Sequence, residues 1–152
     1  MTASASVEIA APVDRVWSLL SDLSRMGEWS PETERIEWKG GATGPALGAV
    51  FEGHNQKGKR KWSTTCRISA FEPNRELAWD VTSVGGLKVA RWRYLLEPVG
   101  DGATRLSEST EDQRGRLVTF FGTLASGVKD RATHNHAGMV ATLERIKSAA
   151  EA

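Results

Sequence analysis

Cysteine is nearly absent. Cys66 is the single one in 152 residues, so no disulfide can form within the chain. Long apolar runs are missing too, and no stretch is long enough to span a bilayer. The start, Met1-Thr2-Ala3-Ser4-Ala5, lacks the basic segment and apolar run of a signal peptide. These absences predict a cytoplasmic protein with no integral membrane association. Neither sign of charge is in excess: 20 basic residues face 19 acidic ones, for a net +1. That balance gives no long-range pull toward nucleic acid or an anionic membrane. The one basic cluster, Lys57-Gly58-Lys59-Arg60-Lys61, falls where a hairpin turn is expected and reads as a solvated loop tip. Metal-ligand spacing is lacking as well. His134 and His136 stand two apart, about 200° around a helix, and cannot share one ion. The glycine-rich stretch 40–48 is followed by neither a Lys-Ser/Thr pair nor a helix, so it is a loop rather than a phosphate cradle. No cofactor and no metal are expected. No Ser-His-Asp or Cys-His arrangement stands out, and Cys66, in an alternating strand, reads as a small buried hydrophobe.

What is present is an ordinary globular balance, 39% apolar and 26% charged, and a length that predicts one domain spanning 1–152. The longest helical pattern is C-terminal, from about Gly115 to Ala150. Ala132, Asn135, Met139, Leu143 and Ile146 recur on one face of its second half. Its first half, Leu117 to Ala125, is apolar almost all round, and Gly122, Gly127 and Gly138 weaken the helix. A kink near Gly122–Gly127 is expected, with a hollow between a loosely supported helix and a sheet.

The rest of the chain supplies that sheet. Ala3, Ala5, Val7 and Ile9 alternate with polar residues in a first strand. Pro12 suits the first position of a helix that carries Val13, Val16, Trp17, Leu20 and Leu23 at helical spacing. A short helical or turn segment follows and stops at Pro31. Six strands then run in series: Arg35–Lys39, Ala49–Asn55, Lys61–Phe71, a strand around Leu77–Val81, Leu87–Glu97 and Thr104–Asp112. Short turns join them into an antiparallel meander. The class is α+β, with the helices on one face of the sheet.

Several stretches stand out: Val7-Glu8-Ile9-Ala10-Ala11-Pro12-Val13-Asp14-Arg15-Val16-Trp17, Trp29-Ser30-Pro31, Gly48-Ala49-Val50-Phe51-Glu52-Gly53, Glu72-Pro73-Asn74-Arg75-Glu76-Leu77-Ala78-Trp79, and Trp92-Arg93-Tyr94-Leu95-Leu96-Glu97-Pro98 before Gly102-Ala103-Thr104-Arg105-Leu106. Together they resemble the START-like (SRPBCC) superfamily, in its polyketide cyclase/dehydrase and lipid-transport branch. The resemblance implies a helix-grip fold: a curved seven-stranded antiparallel sheet wrapped on a long C-terminal helix, with two short helices after the first strand. It also implies a cavity for a hydrophobic or amphipathic small molecule. Members range from lipid carriers to cyclases and protein-interaction modules, and fold alone does not choose among them.

On that reading Ile68, Trp79, Trp92, Tyr94, Leu106, Phe121, Leu124 and Val128 line the cavity. Six tryptophans are the compositional oddity. Trp17, Trp29 and Trp38 read as core, while Trp79 and Trp92 fit pocket lining and core equally. Glu108 and Asp112 share a face with Leu106. If Leu106 is buried, Glu108 turns inward and takes a partner or a raised pKa. The competing reading leaves both acids in solvent near the strand end. Arg91 and Arg93 alternate onto the opposite face. His136 lies nearer the Ala132–Met139 face than His134. Three functions remain open: a lipid or polyketide-like ligand carrier, a cyclase/dehydratase using Glu108 with Tyr94 or His136, and an interaction module with a vestigial cavity. The partner is a hydrophobic small molecule, and the assembly a monomer or homodimer.

Overall fold

The computed structural model describes residues 2–83, 86–113 and 131–152. The strand β1 (Thr2–Ile9) leads into helix α1 (Val13–Ser21). Pro12 sits one position before the helix rather than inside it. Its backbone is extended, φ −67° and ψ 156°, and its carbonyl accepts the Val16 N–H at 3.2 Å. Asp14 in the first turn complements the helix dipole. A 3₁₀ turn, Leu23–Arg25, passes into the four-residue α2 (Met26–Trp29). Both expected short helices are therefore present.

Six strands follow: β2 (Thr33–Lys39), β3 (Val50–Lys57), β4 (Arg60–Glu72), β5 (Glu76–Thr82), β6 (Lys88–Val99) and β7 (Ala103–Asp112). They form one seven-stranded antiparallel sheet in the order β1-β7-β6-β5-β4-β3-β2. Asn74, at φ 66°, supplies the left-handed residue of the tight β4–β5 turn. The last helix, α3 (Arg131–Glu151), seats chiefly on β1, with lesser contacts to α1, α2 and β7. The expected apolar first half of that helix, and the kink placed at Gly122–Gly127, lie outside the described residues.

The alternation read from the strands holds in space. Ile9, Phe51, Cys66, Ile68, Leu77, Trp79, Val81, Tyr94, Leu96 and Leu106 form one buried cluster with Leu143 and Ile146 of α3. Trp17 and Trp29 belong to it, and Trp38 packs against it. Arg91 and Arg93 point away, pairing with Asp80 at 2.6 Å and Glu76 at 3.0 Å. Because α3 is seated at the β1 end, the described part of the helix leaves the inward face of β3–β6 partly uncovered. That asymmetry opens a hollow.

Candidate functional site

The hollow is a pocket of about 170 Å³ between the inward faces of β3–β7, the α2–β2 segment and α3. Strand register explains where it lies. One inward row runs Leu96–Leu106–Val7 across β6, β7 and β1. This row and the neighbouring Leu77 are filled solid, against a core that α1 also shares. The next row pairs Tyr94 with Glu108. Beyond it, Trp79–Trp92–Thr110 and Cys66–Val81–Ala90–Asp112 form the pocket wall. The Tyr94–Glu108 pair thus marks the boundary between packed core and open pocket.

Placement of the expected lining residues follows from those rows. Trp79, Trp92 and Tyr94 line the pocket. Ile68 and Leu106 face inward and are buried, yet they are not among the lining residues and belong to the packed core. Period-two alternation assigns a face but not a depth along the strand. Phe121, Leu124 and Val128 lie outside the described residues.

Glu108 is inward, not solvated: it is 3% exposed. Its Oε2 accepts the Tyr94 hydroxyl at 2.7 Å, while Oε1 has no hydrogen-bond partner among the described residues. Burial pushes its carboxyl up to about 8, against the opposing effect of the Tyr94 hydrogen bond. Burial first, and then the adjacent Glu108, raise the Tyr94 phenol well above its usual value. At neutral pH Glu108 is therefore mostly a neutral acid that can give or take a proton. Asp112 also reaches the pocket wall, four positions further along β7.

His136 is not part of this group. It is exposed, and its Nδ1 lies 3.0 Å from the Ser4 carbonyl on β1. The expectation that His136 reaches the pocket better than His134 is thereby reversed. Met139, Leu143 and Ile146 define the inward face of α3. His136 flanks that face toward β1. His134, Gly138 and Thr142, at i, i+4 and i+8, flank it on the pocket side. His134 Nε2 stands 3.6 Å from Glu32 Oε1, linking α3 to the α2–β2 segment. Glu32, Asn55, Trp62 and His134, all half-buried, line the pocket on this side.

The reading from sequence passed over Phe51, Met26, Thr110 and Thr142, all on the wall. Thr110 had a signal, since it shares the Leu106–Glu108 face. Phe51 needed its pairing with Cys66 to be known. Cys66 is buried on the wall, and burial pushes its thiol up to about 12, so it holds no thiolate at neutral pH. On the opposite sheet face, Glu37, Glu52 and His54 bring their ligand atoms within 4.8 Å of one another. Lys39 Nζ stands 3.2 Å from Glu37 and 3.5 Å from Glu52, so an ammonium is already shared by the two carboxylates of that cluster. No described helix is long and apolar enough to cross a membrane.

Known proteins resemble the chain along its whole length. The family model described as "Polyketide cyclase / dehydrase and lipid transport" matches residues 1–151. The Polyketide_cyc-like protein Cgl2372 of Corynebacterium glutamicum is 31% identical, with 99% of this chain and 88% of that chain covered and a TM-score of 0.60. The Zhui aromatase/cyclase of Streptomyces sp. R1128 is 20% identical, with 99% and 93% covered and a TM-score of 0.70, a likeness of fold. No functionally curated protein matches the chain.

Proposed function

The chain belongs to the polyketide cyclase/dehydrase and lipid transport family, and from that membership we propose that it binds a hydrophobic or amphipathic small molecule, lipid or polyketide-like, in the pocket between sheet and α3. The observation that carries this reading is a wall of Phe51, Trp79, Val81 and Trp92 that ends on a buried polar pair, Glu108 and Tyr94. Apolar surface supplies affinity at about 25 cal/mol per Å² buried, and a few fixed polar groups set orientation. A pocket of about 170 Å³ compares with the engineered cavity of about 150 Å³ that holds one benzene. It takes one ring or the end of a chain, and the remainder of a larger ligand extends beyond it.

Native mass spectrometry of the purified protein, with organic extraction of what travels with it, tests this. A bound mass extracting as a lipid or aromatic metabolite is expected. The half-buried Trp92 is the residue to change: Trp92→Ala should retain the fold and weaken binding of the extracted compound at least tenfold. Full affinity in that variant would remove the pocket from consideration. Trp79 is 7% exposed and deep in the aromatic cluster, so Trp79→Ala would cost stability as well.

A second reading, a cyclase or dehydratase, is favoured by one observation, the 2.7 Å contact between inward Glu108 and Tyr94. A carboxyl raised to about 8 can protonate a carbonyl oxygen as a bound chain closes on itself, and its ionised form can take a proton from carbon. On the extracted compound, Glu108→Gln should then lower turnover by about 10²–10⁴-fold while binding persists. Unchanged turnover would leave Glu108 a binding group alone.

A further inference from the structure

We infer that the inner end of the pocket is built for a neutral oxygen function, a hydroxyl or a carbonyl, and selects against a carboxylate or phosphate there. The inference rests on the ligand-binding reading above and specifies the ligand's buried end. Its basis is a pair of unpartnered atoms. They are Glu108 Oε1 and Thr110 Oγ1, on two pocket-lining residues two apart along the inward face of β7. Glu108 is 3% and Thr110 4% exposed, and neither atom has a hydrogen-bond partner among the described residues. An unsatisfied buried polar atom costs about 1–3 kcal/mol, and native proteins keep few of them. Two on one stretch of pocket wall mark where a bound molecule supplies the missing partners.

The chemistry of the two atoms fixes the class of that molecule. Tyr94 donates to Glu108 Oε2, so in the neutral acid Oε1 carries the proton and donates. The Thr110 hydroxyl both donates and accepts. A ligand carbonyl can accept from both. A ligand hydroxyl can accept from Glu108 and donate to Thr110. An anion fares worse. The other titratable groups on the described wall are Cys66, Tyr94, Asp112, Glu32 and His134. Two of these five are carboxyls and none is a lysine or arginine. A buried ligand carboxylate would add negative charge beside them and lose its own hydration. Discrimination of this kind is large where the site's polar groups are left unpaired by the wrong ligand.

Three probes with one apolar body separate the outcomes: 4-propylphenol, 4-propylbenzoate and propylbenzene. They are titrated into the full chain at about pH 6, where a benzoate is ionised and a buried, raised carboxyl is not. Binding is followed by the fluorescence of Trp62, Trp79 and Trp92, which line the pocket. The phenol should bind about tenfold more tightly than propylbenzene, as one hydrogen bond to a buried group implies, and more tightly still than the benzoate. Thr110→Val, nearly isosteric, should keep the melting temperature within a few degrees and reduce the phenol's advantage over propylbenzene. The benzoate equalling or exceeding the phenol would overturn the inference and leave the ligand-binding reading intact. So would a phenol no better than propylbenzene. Failure of all three probes to bind would overturn both.

Discussion

A carboxyl buried against a phenol ties the stability of the whole chain to pH. Burial raises Glu108 to about 8 in the folded state, whereas an unfolded glutamate titrates near about 4.3. Between those values the folded protein holds a proton that the unfolded chain has released. Its contribution is therefore fully present below about pH 4, falls as pH rises, and stops falling once pH passes the folded value. The full change is on the order of 5 kcal/mol. Exposed carboxylates act in the opposite sense: Arg25, Lys39 and Lys147 hold Glu28, Glu37 and Glu151 low, and such pairs contribute little. Comparing Glu108→Gln with the parent chain cancels them. The prediction is that the variant gains on the parent from about pH 5 to about pH 8, by up to a few kcal/mol in urea unfolding. A difference that stays flat across that range would mean the Glu108 carboxyl ionises freely. Part of this was readable from sequence, because Glu108 shares its face with Leu106. The sequence left Tyr94 and His136 as alternatives beside Glu108, and only the register Tyr94↔Glu108 decides between them.

At the scale of elements, α2 is four residues long and cannot stand alone. It is held by contact. Met26 and Trp29 are buried, the Arg25 guanidinium lies 4.8 Å over the Trp29 ring, and Arg145 of α3 donates to the Trp29 carbonyl at 3.1 Å. Gly27 lets α2 approach β2, for a Cβ there would clash with the Glu34 carbonyl oxygen. Backbone on one side and backbone on the other cannot yield as a side-chain tip can. Gly27→Ala should cost about 1–3 kcal/mol, the usual range for overpacking, although alanine is the better helix former by roughly 1 kcal/mol. Thermal unfolding measures it, and a stabilised variant would show that α2 is free to move off the sheet. The same displacement would shift Met26 and Pro31 on the pocket wall. The sequence marks this segment, through Gly27 and Pro31, as short and interrupted. It does not reveal the close approach, which depends on where β2 lies. The two flanks of α3 were hidden for the same reason: helical spacing identifies Met139, Leu143 and Ile146, but seating on β1 decides that His134 rather than His136 meets the pocket.

Over the whole molecule, the meander β2 to β7 follows from alternation and short turns, and each of its pairings is local. The closing contacts are not. β1 pairs with β7 from Thr2↔Glu111 to Ile9↔Thr104, and α3 then seats on β1. Both ends of the chain meet there: Arg15 donates to the carbonyls of Ala150 and Ala149 at 2.7 and 3.2 Å, Lys147 to that of Glu8 at 2.9 Å, and Glu151 accepts from the Ala10 N–H at 2.7 Å. No periodicity within a strand encodes such long-range pairing, so the place of β1 beside the last strand was not legible in the patterning. The pocket depends on this closure, because the described part of α3 seats on β1, at one end of the sheet, and among the described residues leaves the inward face of β3–β6 partly uncovered. Chain-entropy cost must be met before these distant contacts form, so folding should be slow for the length. Stopped-flow refolding followed by tryptophan fluorescence should give a main phase between milliseconds and seconds, as for other chains dominated by non-local pairing. Leu106→Ala, in the row Leu96–Leu106–Val7, should remove about 2–5 kcal/mol. If β1–β7 pairing is part of the rate-limiting step, that loss appears mainly as slower refolding. If closure follows the barrier, it appears as faster unfolding, and the meander folds before the chain ends join.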